Sequence, residues 1–290
     1  MNACFEAAFD FASSHGYELY AATGGFDGLI NNSVVRVDKS SAWGISHVSG
    51  CNFKCGRSQA FKTQEGLEKA VANIKIHGFE ALIILGGNGS FVGVGRLKKA
   101  GVNAVGIPAT IDNDVFVTNH SLGFSSACES AIKLIDNLKS TMLTNNRDHV
   151  VQLMGRHCSA LTCVVGEAAF ADVIDTVDKR YTAAQVANIF GDKRKSGKQS
   201  CLMVMQEKKA EDVVSEAIES AKLLGAISEA GKNPDLRMTT LGHLQRGAPP
   251  SCRDRWLALN YARTAINAIV ARRFGTAVAL VGEEFILVEL

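Results

Sequence analysis

Ala104-Val-Gly-Ile-Pro-Ala-Thr-Ile-Asp-Asn-Asp114 passes from a short apolar run into a polar loop. The run Ala104–Ile107 reads as a strand. The loop leaving the carboxyl end of a strand in a parallel sheet is where ligands sit. Asp112 and Asp114 flank an asparagine, and both can face that opening if the loop is extended. Such a pair suits a metal–phosphate site, one carboxylate taking a proton and the other holding or orienting a cation. Asp-Asn-Asp is also ordinary turn chemistry, so the loop taken alone supports either reading.

A second loop narrows the choice. Gly86-Gly-Asn-Gly-Ser90 follows the apolar strand Ala81–Leu85 and precedes a helical run, Phe91–Leu97. Glycines let backbone approach a ligand closely, and the next helix turns its free N–H groups into the same space, which makes an anion site. A tight strand-to-helix turn would use the same residues. Two strand-end loops about one βα unit apart, with complementary chemistry, favour the functional reading.

The chain has 290 residues, long for one domain and sufficient for two. Hydrophobic residues make up 47%, which supplies a buried core, and 31 Lys plus Arg nearly balance 29 Asp plus Glu. No basic field points to nucleic acid. No apolar run approaches the roughly 18 residues of a membrane span, and the opening Met-Asn-Ala-Cys-Phe-Glu-Ala lacks the features of a signal peptide. The eight cysteines form no Cys-x-x-Cys and no His/Cys cluster with zinc spacing. They read as reduced thiols of a cytoplasmic protein.

Strands are expected near Glu18–Ala22, Ala81–Leu85, Ala104–Ile107, Val150–Met154, Cys201–Met205 and Thr276–Val281. Helices are expected at Ala3–Ser14, Thr63–His77, Ser126–Leu143, Thr182–Phe190, Glu211–Leu224 and Asp254–Phe274. This alternation argues a parallel α/β sheet. Gly191-Asp-Lys-Arg-Lys-Ser-Gly-Lys198 departs from P-loop spacing and reads as a solvated turn, with an anionic effector as the lesser reading. Both ends read as clipped: a helix comes first where an α/β domain opens with a strand, and the apolar Phe285–Leu290 ends the chain.

With these loops in view, the sequence resembles the ATP-dependent 6-phosphofructokinase family over essentially its whole length. Gly86–Ser90, Pro108–Asp114, Met154-Gly-Arg156 and Leu241-Gly-His-Leu-Gln-Arg-Gly247 come in that family's order and at about its spacing. The resemblance implies transfer of the γ-phosphoryl of ATP to the 1-hydroxyl of fructose 6-phosphate, with Mg²⁺, in a homotetramer. It also implies two Rossmann-like αβα domains with mostly parallel sheets and an active site in the cleft between them. Residues 1–123 plus 245–283 would bind nucleotide, with the first strand missing; residues 124–244 would bind sugar phosphate, with a C-terminal part missing.

By the same resemblance Asp112 is the base, Asp114 organises the site's charge and Thr110 contacts the transferring phosphoryl group. Met154, Gly155 and Arg156 line the sugar site, with Arg156 near the reacting phosphates, and Glu207 holds sugar hydroxyls. His243 and Arg246 bind the 6-phosphate, and Arg147 and Arg237 reach it from a neighbouring subunit. Arg57, Ser58, Gly87, Asn88, Gly89, Ser90 and Gly93 belong to the nucleotide side, and Asn88, Asp112 and Asp114 to the metal. These roles suit phosphoryl transfer, which needs positioning and charge neutralisation more than covalent help. Pyrophosphate-using relatives carry an acid where Gly89 stands and a lysine where Ala109 stands, so the chain reads as ATP-type.

Three departures are notable. Asn88 replaces an aspartate of the family, keeping an oxygen but losing a charge worth about 4 kcal/mol at 4 Å and an effective dielectric near 20. The missing first strand and its glycine loop would expose strand-edge groups, and the chain as written is expected to fold poorly or aggregate. Glu6 and Asp10 stand where effector-pocket arginines are common, while Lys39 and Lys139 keep positive charge. The alternative reading is a catalytically weak homologue acting as a ligand-binding or regulatory subunit.

Overall fold

A computed structural model describes residues 1–207, 213–231 and 235–290. Its elements are α1 (Asn2–Ser14), β1 (Tyr20–Ala22), α2 (Phe26–Ile30), β2 (Val34–Arg36), α3 (Lys39–Ala42), α4 (Gln64–Ile76), β3 (Leu82–Gly86), α5 (Asn88–Lys99), β4 (Ala104–Thr110), β5 (Leu122–Gly123) and α6 (Phe124–Asn145). There follow β6 (His149–Leu153), α7 (Ala160–Ala168), β7 (Val173–Asp175), α8 (Ala183–Lys195), β8 (Leu202–Gln206), α9 (Val213–Gly231), β9 (Arg237–Thr240), α10 (Cys252–Val270), β10 (Thr276–Val281) and β11 (Glu284–Glu289). The expected helix Glu211–Leu224 begins at residues outside those described.

Two compact units result. The first comprises 1–110, 115–123 and 249–290, the second 111–114 and 124–248. The acid loop and residues 245–248 therefore group with residues 124–244, although the sequence reading places both with residues 1–123.

In the first unit the sheet order is β11-β10-β4-β3, with β5 beside β4. β3, β4 and β10 run parallel, and β11 pairs antiparallel along the whole of β10. The apolar tail read as a severed element is thus itself a sheet strand. Alternation of side chains sends Val105, Ile107, Val278 and Leu280 to the face covered by α1 and α10, and Ile84 and Ala104 to the face covered by α4 and α5. Thr63 fixes the start of α4 by accepting the Gly66 N–H at 3.0 Å. Among the described residues β3 ends this sheet. Ala81–Leu85, together with Tyr20–Ala22 and the small side chains Cys4, Ala8 and Ala12 of α1, bound an apolar cavity of about 270 Å³.

The second unit carries the parallel sheet β7-β8-β6-β9. β6 and β8 are buried throughout, as both faces are covered. Val151, Leu153, Leu202 and Val204 meet α6 and α7, while Val150, Met203 and Met205 meet α8 and α9. α7 and β7 are too short for the periodicity to disclose.

The basic segment 191–198 is a solvated turn only in part. α8 runs into it as far as Lys195 and an exposed turn follows, but Arg194 pairs with the buried Asp148, and Lys198 Nζ donates to both oxygens of the buried Asp172 at 2.6 Å. The same carboxylates accept the N–H groups of Cys201 (2.8 Å) and Leu202 (3.0 Å) at the entry to β8. Buried acids need such partners, and the lysines and arginine supply them.

Glu6 and Asp10 are likewise absorbed by the fold. Glu6 accepts N–H groups from Gly44, Ile45 and Ser46, and Asp10 accepts the Trp43 indole N–H at 2.8 Å. Burial works to raise the Glu6 carboxyl, but these bonds together hold it below its ordinary value.

Candidate active site

β4 runs three residues beyond its expected end, to Thr110, because β5 pairs Leu122 with Ala109 and Gly123 with Thr110. Ser121 Oγ donates to the Thr110 carbonyl at 2.7 Å. The loop that follows is not extended: Asn113 has φ +52°, so the chain turns between the two acids. They remain close enough to interact. Asp112 is half-buried, and its carboxyl is pushed above its ordinary value first by burial and then by the charge of Asp114. Arg246 pulls it down, Glu207 pushes it up and Arg156 pulls it down. Side chains from separate segments of the second unit therefore converge on one acid. A carboxyl held above its usual range, between cations, has the character of a proton acceptor.

The turn after β6 brings Arg156 to this group. Glu207 Oε1 accepts the N–H groups of Gly155 (3.3 Å) and Arg156 (3.1 Å). One oxygen of the side chain expected to hold sugar hydroxyls is thus engaged by backbone. Gly155 has φ +130°, and a Cβ there would lie 3.0 Å from the Cys158 carbonyl, so the turn demands glycine. Behind it the fully buried Gln206 donates to the carbonyls of Gly155 (2.7 Å) and Cys158 (3.1 Å) and accepts the Val177 N–H (3.0 Å). Sequence reasoning missed Gln206. Its only signal was its place next to Glu207, and a lone glutamine ending an apolar strand carries no motif.

His243 and Arg246 lie on the 3-10 turn Gly242–Arg246. Residues three apart eclipse in such a turn, so both exposed side chains leave by the same face. Arg147 and Arg237, 90 positions apart in sequence, meet at Asp235: Arg237 donates at 3.3 Å and Arg147 lies 3.9 Å away. The β6–β9 register, with Arg237 opposite His149, makes that meeting possible.

The nucleotide-side residues all fall in the first unit. Gly86 cannot carry a side chain, since a Cβ would lie 2.1 Å from Ser90 Oγ. A Cβ on Gly87 would stand 3.5 Å from the Thr110 side chain, so the glycine loop rests against the end of β4. α5 opens at the exposed Asn88 with no side chain capping its first N–H groups, and the space around Gly89 is clear. Arg57 is exposed. Ser58 and Gly93 do other work. Ser58 Oγ donates to Asp27 and accepts the Phe61 N–H at 2.9 Å. Gly93 is buried within α5, where a Cβ would meet the Phe26 ring at 2.5 Å.

Among the described residues no three His, Cys, Asp or Glu side chains are grouped as a protein-only metal cage. Asp112 and Asp114 form a two-carboxylate set instead. That number suits Mg²⁺, which keeps several waters and is held by one or two carboxylates together with substrate phosphates.

A sequence model of the phosphofructokinase family matches residues 1–269. The chain belongs to that family. It is 33% identical to an ATP-dependent 6-phosphofructokinase of Clostridioides difficile, over 97% of its own length and 85% of the relative's. It is 34% identical to one of Streptococcus agalactiae, over 99% and 82%. The phosphofructokinase of Saccharomyces cerevisiae shares the fold, with a TM-score of 0.87 at 24% identity, over 99% of this chain and 42% of that one. In this phosphofructokinase the acid loop, the Met154–Arg156 turn, Glu207 and the His243–Arg246 turn all belong to a single unit.

Proposed function

We propose that the chain transfers the γ-phosphoryl group of ATP to the 1-hydroxyl of fructose 6-phosphate. The observation that carries this reading is the setting of Asp112, a half-buried carboxyl raised by burial and by Asp114 and moderated by Arg246 and Arg156. Asp112 accepts the proton of the sugar hydroxyl as its oxygen attacks phosphorus. Arg156 neutralises charge on the transferring group, and His243 and Arg246 hold the 6-phosphate. A planar guanidinium suits phosphate oxygens, and in-line transfer depends on such clamps. Bound Mg²⁺ would be held by Asp112 and Asp114 and would neutralise phosphate charge; Asn88 stands where the family has an aspartate. Arg57 and the start of α5 serve the nucleotide phosphates, and the clear space at Gly89 supports ATP as donor.

The half-buried Arg147 and the exposed Arg237, gathered at Asp235, support service to a neighbouring subunit and a homotetramer. No described helix is long and apolar enough to cross a membrane. A cytoplasmic location is part of the same proposal.

Calorimetric titration with fructose 6-phosphate and with ATP, followed by an assay of ADP release, tests the reading. Binding of both with turnover supports it. Binding of either ligand without ADP release supports the regulatory homologue instead.

A further inference from the structure

Three successive backbone N–H groups of the Met154–Arg156 turn are answered by side-chain oxygens: Met154 by Gln245 Oε1 at 3.0 Å, and Gly155 and Arg156 by Glu207 Oε1. Gln245 stands between His243 and Arg246 on the same 3-10 turn, yet it is 1% exposed where they are exposed. Its amide oxygen therefore joins two segments of the second unit that lie 91 positions apart in sequence. Its Nε2 is buried and has no hydrogen-bond partner among the described residues. A side chain serving only to fill this space would do better as Met or Leu, which bury no unanswered donor. The retained feature is the acceptor.

We propose that Gln245 is a positioning residue for the sugar-phosphate site. Its bond to Met154 locks the turn that presents Arg156 to the turn that presents His243 and Arg246. The cation at the reacting end of the sugar phosphate is thereby held at a fixed spacing from those at its far end. Phosphate ligation by several groups at once loses affinity quickly when their spacing relaxes, because each contact depends on the others being in reach. This inference rests on reading the site as that of fructose 6-phosphate.

The test is steady-state kinetics of Gln245→Met, Gln245→Glu and Arg246→Ala beside the parent enzyme, with thermal melts. Gln245→Met keeps the volume and removes the acceptor. It is expected to raise KM for fructose 6-phosphate about tenfold, the size of one lost hydrogen bond to a positioned group, and to leave KM for ATP unchanged. Gln245→Glu keeps an acceptor for the Met154 N–H and is expected to restore KM to near the parent value. If Gln245→Met does not fold, Gln245→Asn, which draws the oxygen back by one methylene, is read in the same way. The inference is overturned if KM for fructose 6-phosphate does not move, if both KM values rise together with a lowered Tm, or if Gln245→Glu does no better than Gln245→Met. Arg246→Ala separates the two levels. If it raises KM for fructose 6-phosphate and Gln245→Met does not, the positioning role alone fails. If neither does, the reading of the site fails and takes the positioning role with it.

Discussion

The sugar-phosphate side and the glycine loop use similar residue types in opposite ways. On the proposed sugar-phosphate side the candidate groups are gripped from behind: Gln206, Glu207 and Gln245 take up the backbone polar groups of one short turn, and the acid loop sits among charges that reset its carboxyl. On the proposed nucleotide side the glycine loop rests on Thr110, and its Asn88 and Gly89, like Arg57 on a separate segment, are exposed. Of two residues expected to serve there, Ser58 hydrogen-bonds Asp27 and the Phe61 N–H, and Gly93 is packed against Phe26. A site that must orient a reacting hydroxyl calls for a rigid backing, whereas one that receives polyphosphate can rely on helix N–H groups and exposed cations. Substitutions on the first side should therefore alter rate and sugar affinity, and those on the second metal use and stability.

Asp112→Asn should have the largest effect, a fall in kcat of about 10³–10⁴ with fructose 6-phosphate still bound, seen by ADP-release assay and calorimetry. The same change should raise Tm slightly, because it removes a charge that burial disfavours. An inactive variant with lowered sugar affinity would move Asp112 from chemistry to binding.

Asn88→Asp comes next. Restoring a carboxylate to the start of α5 should raise turnover at limiting Mg²⁺ by up to about a thousandfold, less if the metal is held through water. Equal phosphotransfer by both forms at saturating Mg²⁺ would show that Asn88 does not limit the metal site.

Gly93→Ala should act on stability and not on nucleotide. Its Cβ would meet the Phe26 ring at 2.5 Å, and overpacking of this kind costs about 1–3 kcal/mol. A lowered Tm with KM for ATP unchanged is the expected result. A raised KM for ATP with an unchanged melt would return Gly93 to the nucleotide site.

The smallest effect is in pH dependence. Burial first, and Asp114 second, hold the Asp112 carboxyl above its ordinary value. The acid limb of kcat/KM should therefore lie above the usual carboxylate range, and Asp114→Asn should move it to lower pH. The stability term has a definite sign. Because the folded pKa exceeds the unfolded one, protonated Asp112 contributes stability that is full below the unfolded value and lost as pH rises through the folded value. A limb that does not move in Asp114→Asn would separate the two acids.

The sequence disclosed the long elements because their signals are local. β10 was legible to the residue as an apolar run, and α1 and α4 were marked by glycines beyond their last turns. β7 was not, since a strand this short takes its pairing from β8 and not from its own pattern. His243 and Arg246 were legible because a glycine-flanked turn carrying His, Gln and Arg is chemically unusual. Gln206 was invisible, as its value lies wholly in partners distant in sequence. The segment 191–198 was legible only in part: it is mostly exposed, as its charge suggested, but Arg194 and Lys198 also answer acids buried beside β6 and β8, which no local pattern discloses.

The most direct test is the structure of the protein crystallised with fructose 6-phosphate. The expected result places the 1-hydroxyl within about 3.2 Å of an Asp112 carboxyl oxygen, the 6-phosphate on His243 and Arg246, and the Gln245–Met154 bond intact. A sugar phosphate bound with its 1-hydroxyl turned away from Asp112, or with its phosphate on other residues, would contradict the assignment.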